Sequence, residues 1–313
     1  MIWPFQRRVR HANKIDITPP TAAPNRDGIC LVIIVKNEAH RIKDWLTFHA
    51  LAGVRDVILY DNLSTDDTVK IAQSFEKCRV TIVPWAMQTR LDRRALLLPQ
   101  QVLAYAHALC TFGGQYRWMA MIDADEYLVP VQHKTLNDAL GTLDTYSNIS
   151  LPWVMFGHCG HETAPTDAAP FAYQSRARAM DGNLLNFKCI LDPCRVTQVS
   201  VHKFHTDDMG ANSANTRGQT RRNKQRASHG FVTTDLLQLN HYYLGSRQEM
   251  ETKINGTDVS GVKPDQRGRS VRAKATRIEA ASILDTSAPA FLARHGVQTS
   301  DALRDITIAE PNS

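Results

Sequence analysis

No stretch of the sequence approaches the roughly 18 consecutive apolar residues of a membrane-spanning helix. The first ten residues, Met1 to Arg10, lack the apolar core of a secretion signal, so a cytoplasmic location is expected. The six cysteines (Cys30, Cys78, Cys110, Cys159, Cys189 and Cys194) form no CxxC pair and no zinc spacing. Several lie in apolar segments, which predicts buried free thiols in reducing surroundings. No internal repeat is present, and no pattern of a nucleic-acid reader occurs. Glycine is missing from Lys36-Asn37-Glu38, the loop after the first apolar strand, where a nucleotidyltransferase usually carries a glycine-rich loop with a basic residue.

What is present is ordinary in bulk and uneven in detail. Hydrophobic residues make up 43% and charged residues 22% of 313 positions, the balance of a soluble globular protein of one large or two modest domains. The net charge of +6 is concentrated. Arg217, Arg221, Arg222, Lys224 and Arg226 occur in ten residues without an acid, and Lys263 to Arg277 holds six cations against Asp265. Such patches suit a phosphorylated ligand or an anionic membrane; without interleaved aromatics, nucleic acid fits least. Residues 1–27 carry Pro4, Pro19, Pro20 and Pro24 and read as a disordered basic arm. There, Trp3 and Phe5 beside Arg7, Arg8, Arg10 and Lys14 would also suit peripheral contact with an anionic membrane, so the inner face of the plasma membrane is one expected setting.

From Gly28 the pattern alternates. Gly28 to Val35 reads as a buried strand, and a helix follows with Ile42, Trp45, Leu46, His49 and Ala52 on one face and Gly53 as its stop. Asp56 to Tyr60 is a second strand, and Ser64 with Asp67 has capping-box spacing for a helix to about Glu76. Arg79 to Val83 is a third strand, and Pro99 opens a helix that ends at Gly113-Gly114. The fourth strand, Trp118 to Ile122, runs into Asp123, Asp125 and Glu126. This β-α-β-α-β-α-β order predicts an α/β fold with a mostly parallel, doubly wound sheet. After Asn148 the pattern suggests small antiparallel additions, with a mobile polar loop from Asp207 to Gly230, a strand from Leu236 to Tyr243 and helical pieces beyond.

Three carboxylates at the carboxyl end of a buried strand raise one another's pKa unless a cation or donors compensate. A divalent Mg2+ or Mn2+ would do so, because such ions take one or two protein carboxylates together with substrate phosphates. Ligands in open α/β sheets bind outside the carboxyl ends of the strands, where these acids stand.

The ordered set of motifs resembles the GT-A glycosyltransferases, family 2-like enzymes and glycosyltransferase family 92. It comprises Val35-Lys36-Asn37-Glu38, Tyr60 to Thr68, Ile122 to Tyr127, Trp153 to His161, Phe187 to Ile190, and Asn240-His241-Tyr242-Tyr243 with Ser246 and Lys253. Gly245 and Arg247 depart from the family's usual pair near this tyrosine. The resemblance implies a GT-A domain over residues 28–255, preceded by the arm and followed by a helical extension over 256–313. It implies transfer of a sugar from a nucleoside-diphosphate-sugar to a glycan or glycolipid hydroxyl, by an inverting displacement, in surface polysaccharide or lipopolysaccharide synthesis. Asp125 is then the more direct metal ligand, with Asp123 nearer the ribose or sharing the metal and His241 as third ligand. Lys36, Asn37 and Glu38 line the nucleotide pocket; at the second strand's end, Asp61 is placed to accept from base or ribose, while Asp66 is expected to cap. Lys188 and the 217–226 arginines would neutralise the diphosphate, the basic loop closing over it.

The acceptor hydroxyl needs a carboxylate base; Glu162 is the first candidate, with Asp192 and Asp207 as alternatives. Trp153 and Phe156 read as a sugar-stacking surface or as core. His158, Cys159 and His161 lack the partners of a zinc site. Two other functions fit the same fold class: a nucleotidyltransferase, disfavoured by the missing glycines, and a non-catalytic nucleotide- or glycan-binding protein, disfavoured by the intact acids and His241.

Overall fold

A computed structural model describes residues 10, 11, 13–86, 96, 97, 99–255 and 264–308. Its centre is a sheet of four parallel strands: β1 (Asp27–Val35), β2 (Val54–Asp61), β3 (Arg79–Pro84) and β4 (Tyr116–Met121). They lie side by side in the order β3-β2-β1-β4. Alternation along β1 sends Ile29, Leu31 and Ile33 to one face and Cys30 and Val32 to the other, so both faces are buried. Helix α1 (Ile42–Leu51) covers the first face with Trp45, Leu46 and Phe48. Helix α3 (Gln100–Phe112) covers the second with Val102, Tyr105 and Leu109, after the short α2 (Thr68–Gln73). The α/β class with a mostly parallel sheet holds.

The end of α1 is set by Gly53, which follows at φ 84°, a left-handed conformation, where an added Cβ would lie 3.0 Å from Thr135. Within α1, buried His49 donates from Nδ1 to the Trp45 carbonyl (2.9 Å) and accepts the Leu128 N–H at Nε2 (3.2 Å). An imidazole so held stays neutral; burial pushes its pKa down to about 3.

Beyond β4 the additions are antiparallel and mixed. β5 (Glu126–Pro130) leaves the acidic turn, β6 (Asn148–Met155) follows, and β7 (Phe187–Leu191) inserts antiparallel between β4 and β6. β8 (Val196–Ser200) lies in a separate small sheet, β9 (Asn212–Ala214) and β10 (Thr220–Arg222) extend the main edge, and β11 (Leu237–His241) pairs with both β5 and β6.

Three regions differ from the expectation. Lys14–Asp16 in the arm pairs with β8, so this part of residues 1–27 is ordered; residues 1–9, with the Trp3/Phe5 pair, lie outside the described residues. The 207–230 loop is structured by β9, β10 and a turn at Asn223–Gln225. The 256–313 extension contributes helices Pro264–Ala280, Ser287–Arg294 and Ser300–Asp305. It is not an appendage, for Phe291, Leu292 and Leu303 are wholly buried in the core cluster of α1. Arg304 also closes on Asp44 of α1 at 2.8 and 3.0 Å. The 263–277 cations fall on the first helix, Lys263 excepted, which lies outside the described residues.

Candidate active site at the carboxyl ends of β1, β2 and β4

The loops after β1 and β2 are stitched together. Asn37 takes φ 60°, accepts the Thr65 N–H at its side-chain oxygen (2.7 Å) and donates its own N–H to Ser64 Oγ (3.0 Å). Glu38 N–H donates to Thr68 Oγ1 at 2.7 Å, and Asp66 accepts from Ala39 and Thr68 N–H groups, each at 3.0 Å. Asp66 is thus the turn-holding acid, as expected, although the Ser64/Asp67 box is replaced: Ser64 serves Asn37, and Asp67 caps α2 without a side-chain bond. Asp61 accepts the Ser64 N–H at 3.1 Å, and Lys36 is exposed. Asn37 is therefore a clamp between loops.

The acidic segment after β4 is a turn rather than a continuing strand, closed by Glu126 N–H to the Asp123 carbonyl at 3.0 Å. A turn does not keep residues i and i+2 on one side as a strand does. Asp123 faces Lys188 Nζ (2.9 Å) and accepts from Gln101 (3.1 Å), whereas Asp125 faces His241 Nε2 (3.4 Å) and Lys253 Nζ (3.0 Å). Burial opposes ionisation of Asp125, but Lys253, His241 and Arg41 outweigh it and hold its carboxyl well below the usual range.

Glu126 lies beneath both, with no exposure. Its Oε2 accepts the Asp123 N–H at 2.9 Å and stands 3.5 Å from Lys188 Nζ. Its Oε1 is 3.9 Å from His241 Nδ1, and neither atom has a hydrogen-bond partner among the described residues. Burial pushes its carboxyl up, only partly relieved by Lys188. Lys188, 1% exposed on β7, remains protonated because Asp123 and Glu126 offset its burial. The floor is aromatic: the Trp153 ring lies 4.5 Å from His241 and 5.4 Å from His202. Burial, with Lys188 beside it, pushes His202 down to about 4.

Beside Asp125 opens a cavity of about 80 Å³, walled in part by His40, Arg41, Thr166, Tyr173 and Arg304. Arg41 bridges Glu38 (3.1 Å) and Glu249 (2.8 Å). Burial disfavours the Glu249 anion, yet His40, Ser246 and Arg41 hold its carboxyl well below the ordinary range. Burial raises Glu38 instead, against the pull of Arg41.

The expected bases separate. Asp192 is not at this site. It follows β7, which pairs Ile190 with Ala120 and Leu191 with Met119 and so runs on toward the start of β4, while Asp123 follows the end of β4. That is the opposite end of the strand, and Asp192 is taken there by Arg26 (2.7 Å) and Arg117 (3.3 Å). Asp207 is surface-bound to Arg195 at 3.1 Å. Glu162 is exposed and paired with Arg247 at 3.0 Å. His158 and His161 each contact a backbone carbonyl, of Gly245 (2.8 Å) and Ala172 (3.1 Å).

The 217–226 cations do not cover the acids as a loop. Arg217 pairs with Asp235, and Arg226 is buried over the Phe187 ring, its centre 4.5 Å from the guanidinium carbon. Phe156 is core, 1% exposed, and Trp153 is only partly buried.

With that geometry in place, comparison with known proteins is decisive at one level. Residues 28–258 match the model of glycosyltransferase family 92. The chain belongs to glycosyltransferase family 92. A family 92 protein of Oryza sativa subsp. japonica is 23% identical over 188 residues, 57% of this chain and 30% of the relative. One of Ricinus communis is 23% identical over 191 residues, 58% of this chain and 32% of the relative. The match thus spans about a third of these relatives' length. Among solved structures, glucosyl-3-phosphoglycerate synthase of Mycobacterium tuberculosis, in complex with Mn2+, UDP and glucosyl-3-phosphoglycerate, gives a TM-score of 0.27 at 19% identity, covering 44% of this chain and 47% of that one. A UDP-glucose pyrophosphorylase complexed with UDP-glucose gives 0.26 at 13%, covering 86% and 98%. Overlaps this slight assign nothing to the family 92 chain.

Sequence reading missed Gln101, Arg41 and Glu249, and left Glu126 without a role. Lys253 carried a motif signal but no partner. Gln101 had no signal at all, being one polar position on a helix whose other face is core.

Proposed function

We propose that this chain is a metal-dependent glycosyltransferase that moves a sugar from a nucleoside-diphosphate-sugar to a hydroxyl of a glycan or glycolipid, with surface polysaccharide or lipopolysaccharide synthesis as its setting. The observation that carries the reading is the charge cluster of Asp123, Asp125, Glu126, Lys188, Lys253 and His241 at the strand ends of a family 92 chain.

The donor set fits a divalent metal through Asp125 and His241. A carboxylate and an imidazole, with positions left for phosphate oxygens and water, suit Mn2+. Asp123 is turned toward Lys188 and Gln101 rather than toward that pair, so of the two roles expected for it, metal or ribose, the ribose role is the one we retain. Tied to Lys188 and Gln101, it is available to a ribose hydroxyl. When bound, the metal supplies Lewis-acid stabilisation of the departing diphosphate. Lys253 neutralises Asp125 and also donates to the Tyr243 carbonyl at 2.9 Å; its half-exposed ammonium would offer a cation to a phosphate of the donor. Asp61 and the Lys36–Glu38 loop form the nucleotide side, and Trp153 gives a flat face for the sugar.

For an inverting displacement, Glu162 is the base we retain. Its carboxylate is exposed, holds one arginine, and belongs to the segment that continues into Ala164 to Ala169, a wall of the cavity beside Asp125. Asp125→Asn tests the reading: transfer from nucleotide-sugar with Mn2+ should be abolished while circular dichroism and the melting profile are kept. Retention of most activity would sink the metal assignment.

A further inference from the structure

The basic residues that the donor site does not use meet elsewhere. Lys14 of the arm, Lys203 after β8, and Arg222 and Lys224 at the end of β10 line one cleft of about 570 Å³, whose volume is that of a small-molecule site. Asn13, Ser200 and Asn212 also line it, and no carboxylate does. Among the described residues, Lys14 donates to a neutral group, the Gln198 oxygen at 3.1 Å, and has no ion pair. Lys203, Arg222 and Lys224 have no carboxylate within ion-pair distance among the described residues. Of the nearby acids, Asp207 is paired with Arg195 (3.1 Å) and Asp208 is held by Ser147 and, at 3.9 Å, Arg195, while Asp16 accepts from the neutral Gln198 (2.6 Å) and is the one carboxylate that keeps its charge close by, against four lining cations.

A fifth cation lies under the floor. Arg226, 2% exposed, donates from Nε to the carbonyl of Asn223, itself a lining residue, at 3.3 Å. Its other bonds go to neutral acceptors, Ser150 Oγ (2.9 Å), Cys189 Sγ (3.6 Å) and the His202 carbonyl (2.7 Å). Burial pushes its pKa down with no carboxylate to restore it. A buried guanidinium without a counter-charge is costly, and an anion above it would repay that cost. The candidate active site contrasts with this: Lys188, Lys253 and Arg41 each already face a carboxylate. Of the two sites, the one whose cations lack a facing carboxylate is therefore the cleft, not the acidic cluster.

We propose that this cleft is a second, anion-binding site that takes a phosphate-bearing group, either a lipid headgroup or a soluble phosphorylated molecule. Four lining cations from three chain segments recognise clustered phosphate charge, with Arg226 adding positive charge from beneath, and the neutral amides and hydroxyl supply donors for its oxygens. The concavity suits a discrete group entering the surface. The site is independent of the donor reading and stands whether or not sugar transfer is the activity.

The test uses the full chain, with inositol hexakisphosphate as the soluble probe by calorimetry. Co-sedimentation with phosphatidylcholine vesicles, with and without phosphatidylglycerol, probes the lipid-borne form. The triple variant Lys203→Glu/Arg222→Glu/Lys224→Glu changes exposed residues only, and its melting profile serves as the folding control. A charge-matched triple, Lys43→Glu/Lys70→Glu/Lys134→Glu, makes the same change in net charge on other exposed lysines. The unaltered chain should bind at least one probe; the cleft triple should lose affinity by on the order of tenfold or more, and the matched triple should not. Binding in one arm alone assigns the phosphate to that source. Equal losses in both triples, or no binding to either probe, would each overturn the site.

Discussion

Replacing Lys188 by methionine tests the charge arithmetic beneath the acids. The ammonium is 1% exposed and faces Asp123 at 2.9 Å and Glu126 at 3.5 Å. Methionine fills the volume and removes the charge. Asp123 is 37% exposed at its side chain and recovers water, but Glu126, with no exposure, does not. Removing one partner of a buried pair costs about 3–5 kcal/mol, and the partial exposure of Asp123 places this case at about 3. The loss should depend on pH. Glu126 is already raised by burial, so the folded state holds its proton above the unfolded value, and stability falls as pH rises through that window. Without Lys188 the carboxyl rises further and the decline extends upward, so the deficit grows by up to about 1.4 kcal/mol per pH unit. Urea unfolding from about pH 6 to 9 reads the effect, and adding Glu126→Gln should recover about 1–3 kcal/mol of coupling. A loss below about 1 kcal/mol at the alkaline end, a deficit flat in pH, or no recovery in the double variant would refute the reasoning.

Asp192→Asn should lower stability by about 3 kcal/mol, since Arg26 and Arg117 lose their shared carboxylate, and leave kcat within about twofold; Glu162→Gln should do the reverse in a transfer assay. Burial pushes the His49 pKa from the ordinary 6.5 down to about 3, so the ring is neutral in the fold and acidification favours the unfolded chain. Unfolding free energies from urea titrations should fall by up to about 1.4 kcal/mol per unit below pH ~6.5, less one proton's slope in His49→Gln, and equal slopes would exclude His49 as the cause. Truncation after Leu284 removes Phe291, Leu292 and Leu303, each wholly buried. At about 1.5–3 kcal/mol apiece this approaches a domain's whole stability, so calorimetry should show no cooperative transition.

The parallel half of the fold was legible because each of its strands carries its own signal. β1 is a continuous apolar run needing two covered faces, and α1 ends at a glycine whose φ no other residue takes easily. The additions were not, because short strands such as Lys14–Asp16 and Asn212–Ala214 have no period to read. Lys14–Asp16 pairs with a strand more than 180 residues away, and Asn212–Ala214 joins the main sheet through one pair, Ala214 with Ile149, besides its own hairpin with Thr220–Arg222. The polar 207–230 segment looked like a mobile loop for a related reason: its anchors are buried polar residues, Ser213 on Ser150, Asn223 on the Phe204 carbonyl and Arg226 over Phe187, whose burial no local pattern announces.

The site divides on the same line. Three acids after an apolar strand are visible as an electrostatic cost, and that cost pointed to the right end of the sheet. Their division of labour was not visible, because it follows from two features of three-dimensional structure. The turn that joins Glu126 N–H to the Asp123 carbonyl aims Asp123 and Asp125 at different lysines, which an extended pattern would not. The register of β11 on β5 then sets His241 directly opposite Glu126. In an antiparallel pair, opposed residues project to the same face, so one pairing both buries Glu126 and brings an imidazole to Asp125. Moving β11 by one residue would turn His241 to the other face, leaving Asp125 with Lys253 alone and Glu126 buried without its neighbour. Asp192 shows the converse. Its acid type and its place after a strand matched a catalytic base, yet β7 runs antiparallel to β4, and that reversal carries it to the wrong end of the sheet.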